Sequence, residues 1–247
     1  MIPCVYVCKI SRLAEEIRKR TDLFPTLVFG SAMHGAGRTF LANLAEKLFS
    51  DAGYPVERIS VGSIFRDIAA REGLSVDEFA ALEVEDPRRF YTLNQEIDES
   101  VHEKMETSAT DAVVIVDSDL AAYHADMDNV YAFLIYADPK VIAKRVLEHP
   151  RKGDGTYDSE EDAMNALIRR TELDIEAYER MSTVAQGNFW KLVYRIAAED
   201  MRRNLDVLLR GKAPKSPFYH ASIDNSGDAE QTKKNWCDAV DKIVSLL

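Results

Sequence analysis

A short apolar run, a glycine-containing turn and an amphipathic segment constrain this chain more than any other feature. Leu27 to Phe29 has the composition of a buried parallel strand, and residues 40–49 repeat apolar side chains at helical spacing. The turn between them contains Gly35, Ala36 and Gly37, which allow a tight backbone with inward-pointing amides. A helix that starts directly after such a turn presents unpaired N–H groups to an anion. The segment therefore predicts a strand, a phosphate-binding turn and a helix; the alternative is a structural turn without a ligand.

The turn follows the phosphate-loop pattern Gly-x4-Gly-Lys-(Ser/Thr) with two departures. Ala32 replaces the first glycine, and Arg38 replaces the lysine. Arg38 keeps the positive charge and is able to donate to two phosphate oxygens. Thr39 keeps the hydroxyl that holds Mg²⁺ beside the phosphates in such loops.

Strand and helix patterns alternate along the rest of the chain, which predicts a doubly wound α/β domain. Further strands are predicted at 56–61, 112–117, 131–137 and 219–223. Helices are predicted at 61–71, 75–82, 90–105, 139–148, 160–181, 187–210 and 232–247. At the N-terminus, residues 2–10 have a strand-like pattern, and Ser11 has the character of an N-cap for a short helix ending before Pro25.

Two carboxylates follow the most apolar strand pattern, residues 112–117. Ligands of open parallel sheets bind beyond the carboxyl ends of the strands, so Asp117 is expected to face the active cleft. Asp119 is equally suited to a second metal contact or to an acceptor hydroxyl group.

Length and charge narrow the classes of function. The 247 residues suffice for one domain with an insertion, and a net charge of −11 argues against non-specific binding to nucleic acid or to acidic membranes. No apolar run is long enough to span a bilayer, and three cysteines without metal-ligand spacing suit a reducing compartment. We therefore expect a cytoplasmic protein, with Cys4, Cys8 and Cys237 as small buried side chains.

Residues 61–79 carry a resemblance to a known family. The run Gly62-Ser63-Ile64-Phe65-Arg66, followed by Gly73-Leu74-Ser75 and then Glu78-Phe79, is closely similar to the substrate-binding segment of archaeal-type cytidylate kinases. Residues 26–48 and 112–181 resemble the wider cytidylate kinase-like group of P-loop nucleoside monophosphate kinases, in which Arg often replaces the P-loop Lys. The chain is identified as a divergent member of this family.

The resemblance implies a three-layer α/β/α P-loop NTPase fold with a parallel sheet, a helical insertion that binds the monophosphate (NMP) and a helical lid. Residues 1–25 would be an N-terminal extension with a structural role or a role in a homodimer. Residues 26–247 would form the kinase-like domain, with an NMP-binding region at 56–110 and a lid and helical insertion at 149–217. Composition suggests a mobile loop at 150–159.

The resemblance also implies roles for individual residues, with ATP and Mg²⁺ as cofactors. Those expected on the donor phosphates are Gly35, Ala36, Gly37, Arg38 and Thr39. Those expected at the acceptor are Ser60, Gly62, Arg66 and Asp119, and those expected at Mg²⁺ are Thr39 and Asp117. The catalytic set comprises Arg38, Asp117, Arg169 and Arg170, with Arg145 as a further arginine to close over the transferred group. The alternative for Arg169 and Arg170 is pairing with Glu172 and Asp174 on an exposed helix.

The family implies ATP-dependent phosphoryl transfer to a nucleoside monophosphate, CMP or dCMP, with nucleotides as the binding partners. Three departures keep alternatives open. Ser118-Asp119 replaces the Gly-Arg that holds the acceptor phosphate, Ala177 replaces a lid arginine, and residues 182–217 form an insertion. The alternatives are a degenerate P-loop protein that binds a nucleotide or a partner without catalysis, and a kinase of a non-nucleotide small molecule.

Overall fold

The computed structural model describes residues 4–149 and 157–247. Within these ranges the strands are β1 (Thr26–Ser31), β2 (Val56–Ser60), β3 (Val113–Asp117), β4 (Val130–Tyr136) and β5 (Ala221–Asp224). They form a parallel sheet in the order β2-β3-β1-β4-β5. All five residues of β3 are buried, which requires helices on both faces of the sheet. The predicted three-layer α/β/α P-loop fold is confirmed.

The helices fall close to the predicted segments. They are α1 (Cys4–Thr21), α2 (Arg38–Asp51), α3 (Val61–Arg71), α4 (Val76–Glu85), α5 (Pro87–Ser108), α6 (Pro139–Glu148), α7 (Glu160–Val184), α8 (Asn188–Leu209) and α9 (Ala229–Leu246). The predicted capping box of α4 is present: Ser75 Oγ accepts the Glu78 N–H group, and the Glu78 carboxylate accepts the Ser75 N–H group. The loop predicted at 150–159 lies mostly outside the described residues.

The strand predicted at residues 2–10 is wrong, because α1 begins at Cys4 and continues through Ser11. Ile10, Leu13 and Ile17 recur at helical spacing and are at most 1% exposed. They pack α1 into the main core, beside α2 and α9. Helix α1 is therefore packed on the same core as the rest of the domain, and the role of residues 1–25 stays a prediction.

The prediction for the cysteines is correct for Cys237, which is buried, and wrong for Cys8, which is exposed because α1 turns it outward. The side chain of Cys4 lies outside the part of the chain that the structure describes. Across the described ranges, every helix is too short or too polar to cross a lipid bilayer.

Two features of the fold position the cleft. The register pairs Phe29 with Asp117 across β1 and β3, and Ser60 with Asp117 across β2 and β3, so the carboxyl ends of three strands meet at one edge. The insertion is α8, which packs along α7 and against the short 3₁₀ turn Ala121–Tyr123 that follows β3. The insertion therefore lies beside the cleft.

Candidate active site

The glycine turn has the backbone of an anion-binding loop. Gly35 and Gly37 lie in the left-handed region, with φ of 81° and 100°. Gly37 caps α2, and the Leu41 N–H group donates to the Gly37 carbonyl oxygen at 3.1 Å. The amides of residues 38–40 precede this bond and have no partner within the helix. The predicted strand, turn and helix are confirmed, and the turn offers amides and a helix N-terminus to an anion.

Asn225, which follows β5, fixes this turn from outside. Its Nδ2 donates to the Ala36 carbonyl oxygen at 2.7 Å, and its Oδ1 accepts the Thr232 hydroxyl at 2.6 Å. A Cβ atom on Gly37 would overlap the Asn225 amide, so the glycine is required by contact as well as by φ. Asn225 is not among the site residues predicted from the sequence, although a polar residue just beyond a predicted strand was a usable signal.

Arg38 turns toward the end of β3, where two carboxylates meet it. Its Nε lies 2.5 Å from Asp117 Oδ1, and its Nη1 donates to Asp119 Oδ2. Asp119 Oδ1 also accepts the Ser31 N–H group at 2.7 Å and the Ser31 hydroxyl at 2.9 Å. The guanidinium is therefore paired with the two aspartates in this conformation.

The charges of this group stabilise one another. Burial opposes ionisation of Asp119, but the Arg38 charge outweighs burial and lowers the pKa of Asp119. Burial likewise opposes the charge of Arg38, and the two aspartates outweigh it and raise the Arg38 pKa. Asp119 is thus held as an anion.

Arg58 is a second cation that the sequence analysis missed. It lies on β2, and its Nη2 donates to Asp117 Oδ2 at 2.8 Å. Two arginines and two aspartates therefore meet at the carboxyl ends of β2 and β3, and Arg58 Nη1 also lies 3.6 Å from Glu46 Oε2. The available signal was an arginine two residues before Ser60, on the same face of a predicted strand.

Three of the four residues expected at the acceptor come together at the start of α3, whereas the fourth, Asp119, lies after β3 against Ser31 and Arg38. Ser60 is the N-cap of this helix, and Gly62 lies in its first turn. A Cβ atom on Gly62 would lie 3.7 Å from Arg66 Nη1 and 3.9 Å from Ser60 Oγ. Arg66 is exposed, and no carboxylate of the described ranges pairs with it. The Arg66 guanidinium is thus available to an anionic ligand, and Gly62 leaves room beneath it.

The arginines expected to close the site occupy different surroundings. The Arg169 side chain is 55% exposed and pairs with Glu172 at 3.5 Å and with Glu176 at 2.8 Å. Pairing with Glu172 was the alternative given for this arginine, and Glu176 is an additional partner. Arg170 is also exposed. Arg145 Nη1 donates to the Asn225 carbonyl oxygen at 2.6 Å, and its Nη2 donates to the Gly227 carbonyl oxygen. Arg145 therefore holds the loop after β5.

Helix α7 contacts the glycine turn through His34. The His34 N–H group donates to Thr171 Oγ1 at 3.0 Å, and His34 Nε2 lies 2.5 Å from Asp174 Oδ2. Asp174 is therefore a partner of the turn. A cavity of about 410 Å³ borders the turn and is lined in part by Gly35, Gly37, Phe40, Arg145, Asn225 and Gly227.

Comparison with known proteins identifies the family of this chain. A family model described as "AAA domain" matches residues 31–164, which is more than half of the chain. The chain belongs to the AAA domain family. This AAA domain is 28% identical over 148 residues to a cytidylate kinase of Pyrobaculum neutrophilum, covering 60% of this chain and 70% of the relative. It is 29% identical over 119 residues to a cytidylate kinase of Archaeoglobus fulgidus, covering 48% of this chain and 58% of the relative.

These relatives confirm the resemblance seen in the sequence, at the level of a divergent cytidylate kinase-like AAA domain. The chain spans less than two thirds of the length of the A. fulgidus relative. Among solved structures, the chain is similar to TT1252 from Thermus thermophilus, with a TM-score of 0.49 and 15% identity over 89% of this chain and 97% of that one.

The residues of this AAA domain fit a phosphate tail with its cation. The amides of the turn supply donors, and the exposed Thr39 hydroxyl stands at the first turn of α2. Within the described ranges, Asp117 Oδ1 is buried and has no hydrogen-bond partner, and Arg38 Nε lies 2.5 Å from it. In the described ranges, no cluster of three or more acidic, histidine or cysteine side chains forms a separate metal site.

Proposed function

We propose that this protein transfers the γ-phosphoryl group of ATP to a nucleoside monophosphate, CMP or dCMP, in the presence of Mg²⁺. The observation that carries the proposal is the juxtaposition at one sheet edge. The glycine turn follows β1, Ser60, Gly62 and Arg66 follow β2, and the arginine-aspartate cluster follows β3. A donor and an acceptor bound there would meet over the cluster.

Each part of the edge has a task in such a transfer. The amides of the turn hold the donor phosphates, and the cavity beside Asn225 takes the donor nucleoside. Thr39 would hold Mg²⁺, and the bound ion would supply positive charge beside the phosphoryl oxygens. Arg66 holds the acceptor phosphate. Arg38 leaves Asp119 to reach the donor phosphates, and the freed carboxylate orients the acceptor.

The same proposal divides the chain into functional regions. Residues 56–110, which contain α3, α4 and α5, bind the acceptor. Residues 149–217 contain the lid and the inserted helix α8, and Arg169 and Arg170 swing from their exposed positions to the transferred group. This positioning is the main catalytic contribution that phosphoryl transfer requires from a protein.

The test is a transfer assay with ATP, Mg²⁺ and a panel of monophosphates, following diphosphate formation. We expect products from CMP and dCMP. Arg66→Ala should raise the KM for the acceptor about 10- to 100-fold, the loss of one charge-assisted contact, while the KM for ATP stays unchanged. The matched control is Arg12→Ala, an exposed arginine on α1. A folded protein that forms no diphosphate from any acceptor would refute the proposal.

The arginine-aspartate cluster favours a second candidate function, binding of a nucleotide without catalysis. Arg38 is already paired with two carboxylates, and Asp119 places a negative charge near the acceptor. Such a protein would bind ATP with an affinity that depends on the turn and would yield no product. A third possibility is that Asp119 accepts a hydrogen bond from a hydroxyl group of a non-nucleotide alcohol, which would then be the substrate that receives the phosphoryl group. The transfer assay with ATP and Mg²⁺ tests this possibility when polyols replace the monophosphates.

A further inference from the structure

Asp119 is held through its backbone as well as through its carboxylate. The carboxylate accepts two hydrogen bonds from Ser31, and the carbonyl oxygen accepts the Tyr219 hydroxyl at 3.3 Å. Tyr219 precedes β5 and is 9% exposed. A Cβ atom on Gly30 would overlap the Tyr219 hydroxyl oxygen, so the glycine near the end of β1 leaves space for this contact. Tyr219 therefore fixes the backbone of the residue that pairs with Arg38.

Tyr219 belongs to a buried network that begins on the inserted helix α8. Its hydroxyl lies within hydrogen-bonding range of the Tyr123 hydroxyl, and the two rings meet edge to face with centroids 5.9 Å apart. The Tyr123 hydroxyl donates to Asp200 Oδ2 on α8 at 3.0 Å. Asn204 Nδ2 donates to the same oxygen at 3.0 Å, and Arg203 donates to the other carboxylate oxygen. The network therefore links a carboxylate of the insertion to the turn after β3.

The chain itself provides a second link between Tyr123 and Asp119. Tyr123 is the last residue of the 3₁₀ turn, four residues after Asp119. Between them, the buried Ser118 hydroxyl accepts the N–H groups of Leu120 and Ala121, both at 3.2 Å. These bonds make the turn compact. A shift of Tyr123 would therefore reach Asp119 both along the chain and through the second tyrosine.

The tyrosine hydroxyls of this network act as donors near neutral pH. Burial raises the pKa of Tyr123, and the charge of Asp200 adds to the rise. Burial also raises the pKa of Tyr219, and the charge of Asp119 adds to that rise. Both hydroxyls thus keep their protons, and each can donate a hydrogen bond to an oxygen atom.

We infer that Asp200, Tyr123 and Tyr219 are positioning residues for the pair formed by Arg38 and Asp119, and that the inserted helix thereby sets how readily Arg38 is released to the donor phosphates. The tyrosine hydroxyls hold the Asp119 backbone where its carboxylate meets the guanidinium. When this support is weakened, the carboxylate loses part of its hold on Arg38, so ATP competes for the guanidinium at lower cost. The inference rests on the proposed function for the contact between Arg38 and the donor phosphates.

The test is calorimetric titration of the full-length protein with ATP and Mg²⁺, with thermal unfolding as a check of the fold. Tyr219→Phe keeps the ring and removes the hydroxyl, and it should tighten ATP binding about 2- to 10-fold, the range for one lost hydrogen bond. Tyr123→Phe should act in the same direction by a smaller factor. Tyr54→Phe is the matched control, because its hydroxyl also donates to a carbonyl oxygen, that of Ser11 at 3.4 Å, and it should leave ATP affinity unchanged.

A double-mutant cycle separates positioning from a general structural role. In the Asp119→Asn protein the pair with Arg38 is already weakened, so adding Tyr219→Phe should give no further gain in ATP affinity. A purely structural role of Tyr219 would change ATP affinity by the same factor in both backgrounds.

Unchanged or weaker ATP binding by a folded Tyr219→Phe protein would overturn the inference. So would equal factors in the two backgrounds of the cycle. Tyr123→Phe supplies the same comparison if Tyr219→Phe does not fold. The two proposals fail separately. A protein that shows the coupling but transfers no phosphoryl group refutes the kinase alone, and phosphoryl transfer by a protein whose ATP affinity is indifferent to Tyr219→Phe refutes the positioning role alone.

Discussion

Asp119→Asn tests whether the Arg38 pair opposes donor binding. In the structure the Arg38 guanidinium contacts Asp119, and the proposed reaction requires it to leave for the phosphates. Two unit charges about 4 Å apart attract by about 4 kcal/mol at an effective dielectric constant of 20 and by about 1 kcal/mol in water. The Arg38 side chain is 26% exposed and that of Asp119 15% exposed, so the pair lies between these limits. We take a separation cost of about 2 kcal/mol.

Removing that cost should tighten ATP binding about 30-fold, since each 1.4 kcal/mol changes affinity about tenfold. The assay is titration calorimetry with ATP and Mg²⁺, with thermal unfolding as a check of the fold. Asp111→Asn, an exposed aspartate just before β3, is the matched control and should bind ATP like the wild type. Adding Arg38→Ala to Asp119→Asn should abolish the gain. Unchanged or weaker ATP binding by a folded Asp119→Asn protein would refute this account of Arg38.

Three further predictions concern stability, measured by chemical denaturation. Gly37→Ala should lower the free energy of unfolding by more than the cost of left-handed backbone strain, which is about 1–2 kcal/mol, because the new methyl group would also overlap the Asn225 side-chain amide. Gly53→Ala is the control: Gly53 also has a positive φ, 85°, but no atom lies within 4 Å of a Cβ placed there, so this variant should show the backbone strain alone. Leu13→Ala in α1 should cost about 2–5 kcal/mol, whereas Glu15→Ala on the exposed face should change stability by less than about 0.5 kcal/mol. Because burial on α5 raises the pKa of Asp98 to about 7, the folded state retains a proton that the unfolded state releases. The free energy of unfolding should therefore fall by up to about 4 kcal/mol, relative to Asp98→Asn, as pH rises from about 4 to about 7; parallel curves for the two proteins would contradict this.

Much of the fold could be predicted because buried strands and helices have apolar patterns that can be recognised within a short stretch of sequence. Strand β3 is a continuous apolar run, and α6 begins at the predicted Pro139 because proline suits the first helical position. The start of α1 could not be predicted in the same way. Its first residues, Val5-Tyr6-Val7, favour a strand locally, and the packing of Leu13 and Ile17 against the core overrides that preference.

Less of the candidate site than of the fold could be predicted from the sequence. The glycine turn has a fixed spacing, so its backbone was predictable, and the roles of Arg66 and Arg169 stay predictions. The contacts of Asn225 with Ala36 and of Arg58 with Asp117 join residues that are far apart in the chain. A local pattern singles out Asn225 and Arg58 as polar residues of interest, but it does not indicate the partner of either one. The direction of the Arg38 side chain depends on the same kind of distant partner.

The position of β5 at the edge of the sheet affects the order in which the turn is completed. Strand β5 joins β4 only after the intervening residues 137–220, and the Asn225 amide that braces Ala36 arrives with it. Closing so long a loop is entropically costly before the strand contacts form. The glycine turn should therefore reach its final shape among the last steps of folding. A chain truncated before β5 would contain the whole phosphate-loop sequence but would lack the Asn225 amide that holds the turn in place.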